Sequence, residues 1–118
     1  MNSGYPLDRV TFSSDSNGSL PKFDDQGHFI GMGVGRIDVL RQCLCRLILD
    51  HGLNPETALS FVTSNPARRL GPATRTGRLV PCLDADLTVF DENWRVRAVY
   101  CRGRLMVENG KCTSSYLF

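Results

Sequence analysis

The stretch Arg9-Val10-Thr11-Phe12-Ser13-Ser14, followed at once by Asp15-Ser16-Asn17-Gly18-Ser19, carries the pattern on which the fold turns. Residues 9–14 form a short run of β-branched, aromatic and small side chains led in by a charge, which predicts a strand. It empties into the polar segment DSNGSLPKFDDQGHF, whose composition predicts a turn-rich surface loop. An aspartate at the C-terminal end of a strand, followed by small residues and glycine, sits where a parallel α/β barrel places its reactive groups. The loops at that face are the ones open to substrate. Asp15 also suits an Asx turn or a loop cap, and spacing alone favours that plainer use, because Asp, Asn and Gly recur wherever strands end.

Downstream, Ile37, Leu40, Leu44, Leu47 and Ile48 fall at i, i+3, i+7, i+10 and i+11, opposite Asp38, Gln42, Arg46 and Asp50. That spacing predicts an amphipathic helix. His51 in its last turn and Gly52 just beyond are a stop signal. Asn54-Pro55-Glu56 then offers an N-cap, a first-turn proline and a dipole-matched acid for a second helix to residue 62. Ser64-Asn65-Pro66 repeats the start signal for a third, short helix over 67–70, ended by Gly71. After that the period changes to two. Leu87 and Val89 alternate with Asp86 and Thr88, and Val96, Ala98 and Tyr100 alternate with Arg95 and Arg97. Residues 104–108 lead into the turn pair Asn109-Gly110, which predicts three short antiparallel strands in all.

Composition bounds what such a chain does. Its 118 residues, 42% hydrophobic and 22% charged, suit one ordinary soluble domain. Fourteen basic against twelve acidic side chains leave +2, with no basic block to serve as a footprint for nucleic acid or an anionic membrane. The longest apolar stretch, 39–49, is interrupted by Arg41, Gln42 and Arg46, and a bilayer span needs about twenty apolar residues. The opening MNSGYPLDR lacks a charged segment leading into an apolar one, so an intracellular, cytoplasmic location is expected. The five cysteines (43, 45, 82, 101 and 112) contain no C-x-x-C pair and read as free thiols. Cys43 and Cys45 point about 160° apart around a helix, which turns Cys43 to the core and Cys45 outward.

Several familiar chemistries are missing. The only histidines, His28 and His51, make neither an H-x-H nor an H-E-x-x-H pair, and no Ser-His-Asp set can be completed. Gly31-x-Gly33-x-Gly35 has Arg36 where a dinucleotide fingerprint continues, and no βαβ unit follows, so it reads as a flexible loop before the helix. Asp15-Ser16-Asn17-Gly18 begins like an EF-hand loop but has Leu20 where that loop needs glycine. Asp84 and Asp86 read as structural carboxylates that satisfy turn amides. Trp94 reads as a packing residue.

The string Val10-Thr11-Phe12-Ser13-Ser14-Asp15-Ser16-Asn17-Gly18-Ser19, with Pro21 and Asp24-Asp25-x-Gly27, resembles the last barrel strand and loop of the isoaspartyl dipeptidases (beta-aspartyl peptidases) of the amidohydrolase superfamily. Thr63-Ser64-Asn65-Pro66-Ala67, Leu70-Gly71, Gly77-Arg78-Leu79 and Asp84-Ala85-Asp86-Leu87 resemble that superfamily's exit from the barrel into its small β-domain. Val99-Tyr100-x-Arg102-Gly103-Arg104-Leu105-Met106-Val107 and Asn109-Gly110-Lys111 resemble the closing hairpin. The Asn-Pro-Ala and Asp-Ala-Asp-Leu segments are common to many amidohydrolases, whereas Ser-Ser-Asp-x-Asn-Gly-Ser points to the dipeptidase.

The resemblance implies an α/β fold: the C-terminal piece of a (β/α)8 metal-dependent hydrolase barrel, followed by strands of a small β-sandwich domain. Residues 1–71 would be the last barrel strand, active-site loop and following helices, and 72–118 the β-domain. A whole barrel needs about 250 residues, so the strand from Val10 would lack both neighbours, the helix would have no barrel to cover, and stability would be marginal. The implied activity is zinc-dependent cleavage of beta-aspartyl dipeptides at a two-metal centre, in a homo-oligomer. Asp15 would contact a zinc and carry a proton from the bridging hydroxide to the leaving amine. Ser19 would hold the substrate's α-carboxylate, a role contested by a plain loop hydroxyl, and Gly18 would let the backbone approach substrate. The metal-binding histidines belong to earlier strands, and nothing in this chain replaces them. Two departures stand out. Cys82 replaces a usual glycine after Pro81, which strains it if the turn needs a positive φ, and Ser16 stands where glycine is common. The alternatives are another amidohydrolase acting on amide or cyclic amide bonds, and a non-catalytic association module built on the β-strands.

Overall fold

A computed structural model of the chain describes residues 4–113, which fall into two compact units, one ending at Val62 and one beginning at Thr63. In the first unit a short 3-10 turn, Leu7–Arg9, hands over to extended backbone at Val10 (φ −79°, ψ 132°). The expected strand over 9–14 is not formed. A strand exists only with a ladder partner, and here the Phe12 N–H instead donates to the Phe61 carbonyl at 2.9 Å. The Phe12 ring packs at 5.1 Å on Phe61, which is 1% exposed.

The expected polar loop is a hairpin. Strand β1 (Ser19–Phe23) pairs antiparallel with β2 (Phe29–Val34), Ser19 opposite Val34 and Pro21 opposite Met32. Its tip is closed by Asp24, whose Oδ1 accepts from the N–H groups of Gln26 (2.9 Å) and His28 (2.8 Å), and by Gly27 at φ 85°. The polar tip residues masked the apolar residues that flank them. Gly31 and Gly33 accordingly belong to β2 and not to a flexible loop, and the Lys22 stem lies over Gly33.

Helix α1 (Val39–Leu49) ends as expected. Gly52 takes φ 64° and the Leu53 N–H returns to the Leu47 carbonyl at 2.9 Å. Of its residues only Leu44 is buried, and Leu40, Leu47 and Ile48 of the apolar stripe are half-buried, so the stripe is only partly covered. For the same reason Cys43 and Cys45 are both half-buried, and the expected contrast between a core and an outward thiol is lost. Helix α2 (Pro55–Ser60) has the expected cap, with Asn54 Oδ1 accepting from the N–H groups of Glu56 and Thr57.

In the second unit, helix α3 (Ser64–Leu70) begins three residues earlier than expected. Asn65 lies inside the first turn, 1% exposed, and its Oδ1 receives the Arg68 guanidinium at 2.6 Å. Pro66 is tolerated because first-turn N–H groups have no intrahelical partner to lose. Gly71 closes the helix at φ 96°. Strands β3 (Leu87–Phe90), β4 (Val96–Cys101), β5 (Arg104–Glu108) and β6 (Lys111–Cys112) then form an antiparallel meander in sequence order. The fourth strand, too short to show a period, follows the left-handed pair Asn109 and Gly110 (φ 51° and 77°), a geometry suited to tight hairpins. Asp86 accepts the Arg102 N–H at 2.8 Å, as expected of a structural carboxylate, whereas Asp84 pairs with Arg75 at 2.8 Å. Trp94 packs on Phe90 at 5.5 Å. Among the described residues no helix is long and apolar enough to cross a membrane, and all five cysteines are free thiols.

Candidate functional site

Asp15 stands at the start of a tight turn with φ 47°, in the left-handed region that Asp and Asn enter more readily than other side chains. Asn17 follows at φ 65°. The turn is closed on itself by the Gly18 N–H to Asp15 carbonyl bond (2.8 Å). It is clamped to the end of β2 by Asn17 N–H to Gly35 carbonyl (3.1 Å) and Gly35 N–H to Gly18 carbonyl (2.8 Å). Two serine hydroxyls finish the approach: Ser13 Oγ accepts from the Asp15 N–H at 3.4 Å and Ser14 Oγ from the Ser16 N–H at 3.2 Å.

A side chain would collide with Asp15 at two of these positions, and at Gly35 the obstacle is backbone that cannot swing aside. A Cβ at Gly18 would meet the Asp15 carboxylate within 2.6–2.7 Å, so the side chain folds back over the glycine. One at Gly35 would run into the Asp15 carbonyl. Gly18 thus serves the aspartate's own posture, a use that the spacing of the sequence did not reveal. Ser19 is the first residue of β1 and is exposed.

Asp15 lines a groove of about 740 Å³ together with Thr11, Phe12, Ser13, Ser14 and Leu20 on one side and residues of α1 on the other. The helix contributes Val39, Leu40, Cys43, Arg46 and Leu47, with His51 just past its end. Sequence reasoning assigned His51 and Arg46 no place at this site. The signal was present in their spacing, since 39, 43, 46 and 47 follow the helical repeat. Ser19 and Gly18 are not among the groove's lining residues. Arg46 is exposed and its Nε lies 4.0 Å from Asp50, a surface pair of small energetic weight.

Asp15, Cys43 and His51 are the metal-ligating types on the groove. Yet among the described residues no three His, Cys, Asp or Glu side chains converge as a metal site would need. The two-zinc centre implied by resemblance does not fit the residues of this chain alone. What the arrangement offers is one carboxylate, held by backbone geometry, at the mouth of a largely apolar groove.

The structure is similar to that of a beta-aspartyl dipeptidase from Fervidobacterium islandicum, solved in complex with the beta-Asp-Leu dipeptide. The TM-score is 0.76 and the identity 33%, over 95% of this chain and 29% of that one. By sequence the chain is 36% identical over 73 residues to an adenine deaminase of Methanothrix thermoacetophila, covering 62% of this chain and 13% of the deaminase. It is 35% identical over 72 residues to an N-acetylglucosamine-6-phosphate deacetylase of Bos taurus, covering 61% and 18%. The chain thus spans less than a third of each of these relatives. A model of the amidohydrolase family matches residues 8–105, and the chain belongs to that family.

Proposed function

We propose that the chain is the C-terminal part of a metal-dependent hydrolase that cleaves the isopeptide bond of beta-aspartyl dipeptides. The observation that carries this reading is Asp15, locked by the Gly18 and Gly35 bonds at the edge of the groove. The 33% identity that extends over 95% of the chain to a dipeptidase supports the choice of substrate. Family members generally use metal ions, and zinc is the ion this reading assigns, with its other ligands supplied from outside this chain. The boundary between barrel part and β-domain is placed at 71/72, in a cytoplasmic homo-oligomer.

On this reading the Asp15 carboxylate accepts a proton from the attacking water and returns it to the leaving amine, which a fixed carboxylate within hydrogen-bond reach can do. Ser19 donates its hydroxyl to the substrate's α-carboxylate. Gly18 lets the backbone approach substrate.

A second reading, another amidohydrolase activity on a different amide or cyclic substrate, is favoured by the adenine deaminases among the relatives. Asp15 keeps its proton role there, but Ser19 has no carboxylate to hold.

One chimera separates the two. In the Fervidobacterium islandicum enzyme the aligned segment is replaced by this chain, loaded with zinc and offered beta-Asp-Leu and adenine. Hydrolysis of beta-Asp-Leu is expected, with Asp15→Asn lowering kcat by about 10²–10⁴. Ser19→Ala is expected to raise KM with kcat little changed. A folded, metal-loaded chimera that leaves beta-Asp-Leu intact overturns the reading, and deamination of adenine, with KM indifferent to Ser19, installs the second. The chain by itself is expected to hydrolyse neither substrate.

A further inference from the structure

The turn that carries Asp15 is strained, and its own hydrogen bonds are local. The Gly18 N–H donates to the Asp15 carbonyl at 2.8 Å, and the Asp15 and Ser16 N–H groups donate to the hydroxyls of Ser13 and Ser14 at 3.4 and 3.2 Å. Against that, Asp15 and Asn17 both stand in the left-handed region, at φ 47° and 65°. A residue with a side chain keeps such a conformation only where its surroundings over-determine it. The two bonds that reach the turn from farther along the chain both come from Gly35. Its carbonyl accepts the Asn17 N–H at 3.1 Å and its N–H donates to the Gly18 carbonyl at 2.8 Å.

Gly35 is not a glycine for the sake of its own backbone, since it lies outside the left-handed region. What the position demands is a bare Cα. A Cβ there would run into the Asp15 carbonyl oxygen and come within 3.5 Å of the Ser14 carbonyl. The residue is buried, and the first rung of the β1–β2 ladder, Ser19 opposite Val34, lies immediately beside it and holds it in place. Gly33, two residues earlier on β2, supplies the contrast. It too lies outside the left-handed region, but a Cβ there would meet the end of the Lys22 side chain, a flexible stem that can swing aside. One strand thus carries two glycines, of which one abuts a movable lysine and the other the backbone of Asp15.

We propose, on the strength of the proton-carrying role given above to Asp15, that Gly35 is a positioning residue for that carboxylate. The β1–β2 hairpin carries the Gly35 peptide against the turn, and its two hydrogen bonds and bare Cα fix where the carboxylate stands for proton transfer. Gly35 is not among the groove's lining residues, so its effect on the reaction passes through Asp15. A reacting group displaced by about 1 Å loses on the order of 10² in rate, whereas groups that only bind substrate are left as they were.

Paired alanine substitutions test this. In the chimera described above, Gly35→Ala should lower kcat by about 10–100-fold with KM changed less than about two-fold, and Gly33→Ala should behave like the parent. If the chimera deaminates adenine and leaves beta-Asp-Leu intact, yet shows the same split between the two glycines, the dipeptidase reading falls and the role of Gly35 stands. In the intact chain the backbone ¹³C shifts of Asp15 and Asn17 report their left-handed φ independently of any activity. Gly35→Ala should move both, and Gly33→Ala neither. These shifts decide the matter in a chimera inactive on both substrates. Should Gly35→Ala fail to fold by far-UV circular dichroism, replacing the Val34–Gly35 amide by an ester removes the N–H without adding an atom, and kcat should fall several-fold. Equal losses of kcat in the two glycine variants, a change confined to KM, or Asp15 shifts indifferent to Gly35→Ala would each overturn the proposal.

Discussion

The unit ending at Val62 and the unit beginning at Thr63 treat their apolar side chains differently. Of the thirteen large hydrophobic residues that stand exposed among the described residues, nine lie in the first unit and four in the second. The first has a well-formed amphipathic helix whose stripe buries a single leucine, and a hairpin with an uncovered face. The second is held mainly by local devices: a β-meander whose turns are closed by Asp86, Asp91 and the Asn109-Gly110 pair. A meander of neighbouring strands satisfies its backbone from nearby sequence, whereas a barrel strand and its covering helix need partners far away along a chain. The first unit therefore leaves more of its apolar surface uncovered than the second.

Four measurements press on that contrast, in order of expected effect. Phe61→Ala removes the one large apolar side chain fully buried in the first unit and should cost about 3–5 kcal/mol, enough to abolish its cooperative urea transition. A melt that hardly moves would mean that the unit has no core to lose. Gly35→Ala forces a Cβ against the Asp15 carbonyl and should cost about 1–3 kcal/mol, with loss of protection from hydrogen exchange at the Asn17 amide.

In the second unit Cys82→Gly should act in the opposite direction. Cys82 sits at φ 73°, which confirms the strain expected of a cysteine at this turn, and relief should stabilise by roughly 0.5–1 kcal/mol in thermal melts. A neutral or negative result would show that the turn is held by more than its own backbone.

The smallest effect is a titration. Asp24 is held below the usual carboxylate range chiefly by the His28 backbone N–H, and Asp91 by that of Arg95. A depressed folded pKa means that each carboxylate supports its turn above its ordinary titration range and ceases to as pH falls through the lowered value. Both side chains are solvent-facing, so the amides of Gln26, His28, Asn93 and Arg95 should shift together in acid while far-UV circular dichroism holds. Titration of either group in the ordinary range would show that its turn hydrogen bonds are not maintained in solution.

Much of this is legible in the amino-acid sequence. The cap at Asn54, the stop at Gly52 and the period-two strands are decided within a few residues, and each appears where the pattern puts it. The hairpin over 19–34 escaped because its polar, glycine-rich tip dominates the composition of the segment. The start of α3 escaped because Asn65, shaped like a cap, is instead buried against Arg68. Asp15 was identified as the residue of interest from what surrounds it, but its posture depends on Gly35, twenty residues away.

By itself the amino-acid sequence determined the local elements, the turn chemistry and the family resemblance, because propensity, capping and motif act over short spans of chain. Only the tertiary structure decided that residues 9–14 are not a strand, that Asp15 shares a groove with Cys43, Arg46 and His51, and that the hairpin leaves one face bare. Each of these is a question of which distant group arrives to satisfy a backbone hydrogen bond or cover an apolar surface. That depends on partners in space, which no local pattern encodes.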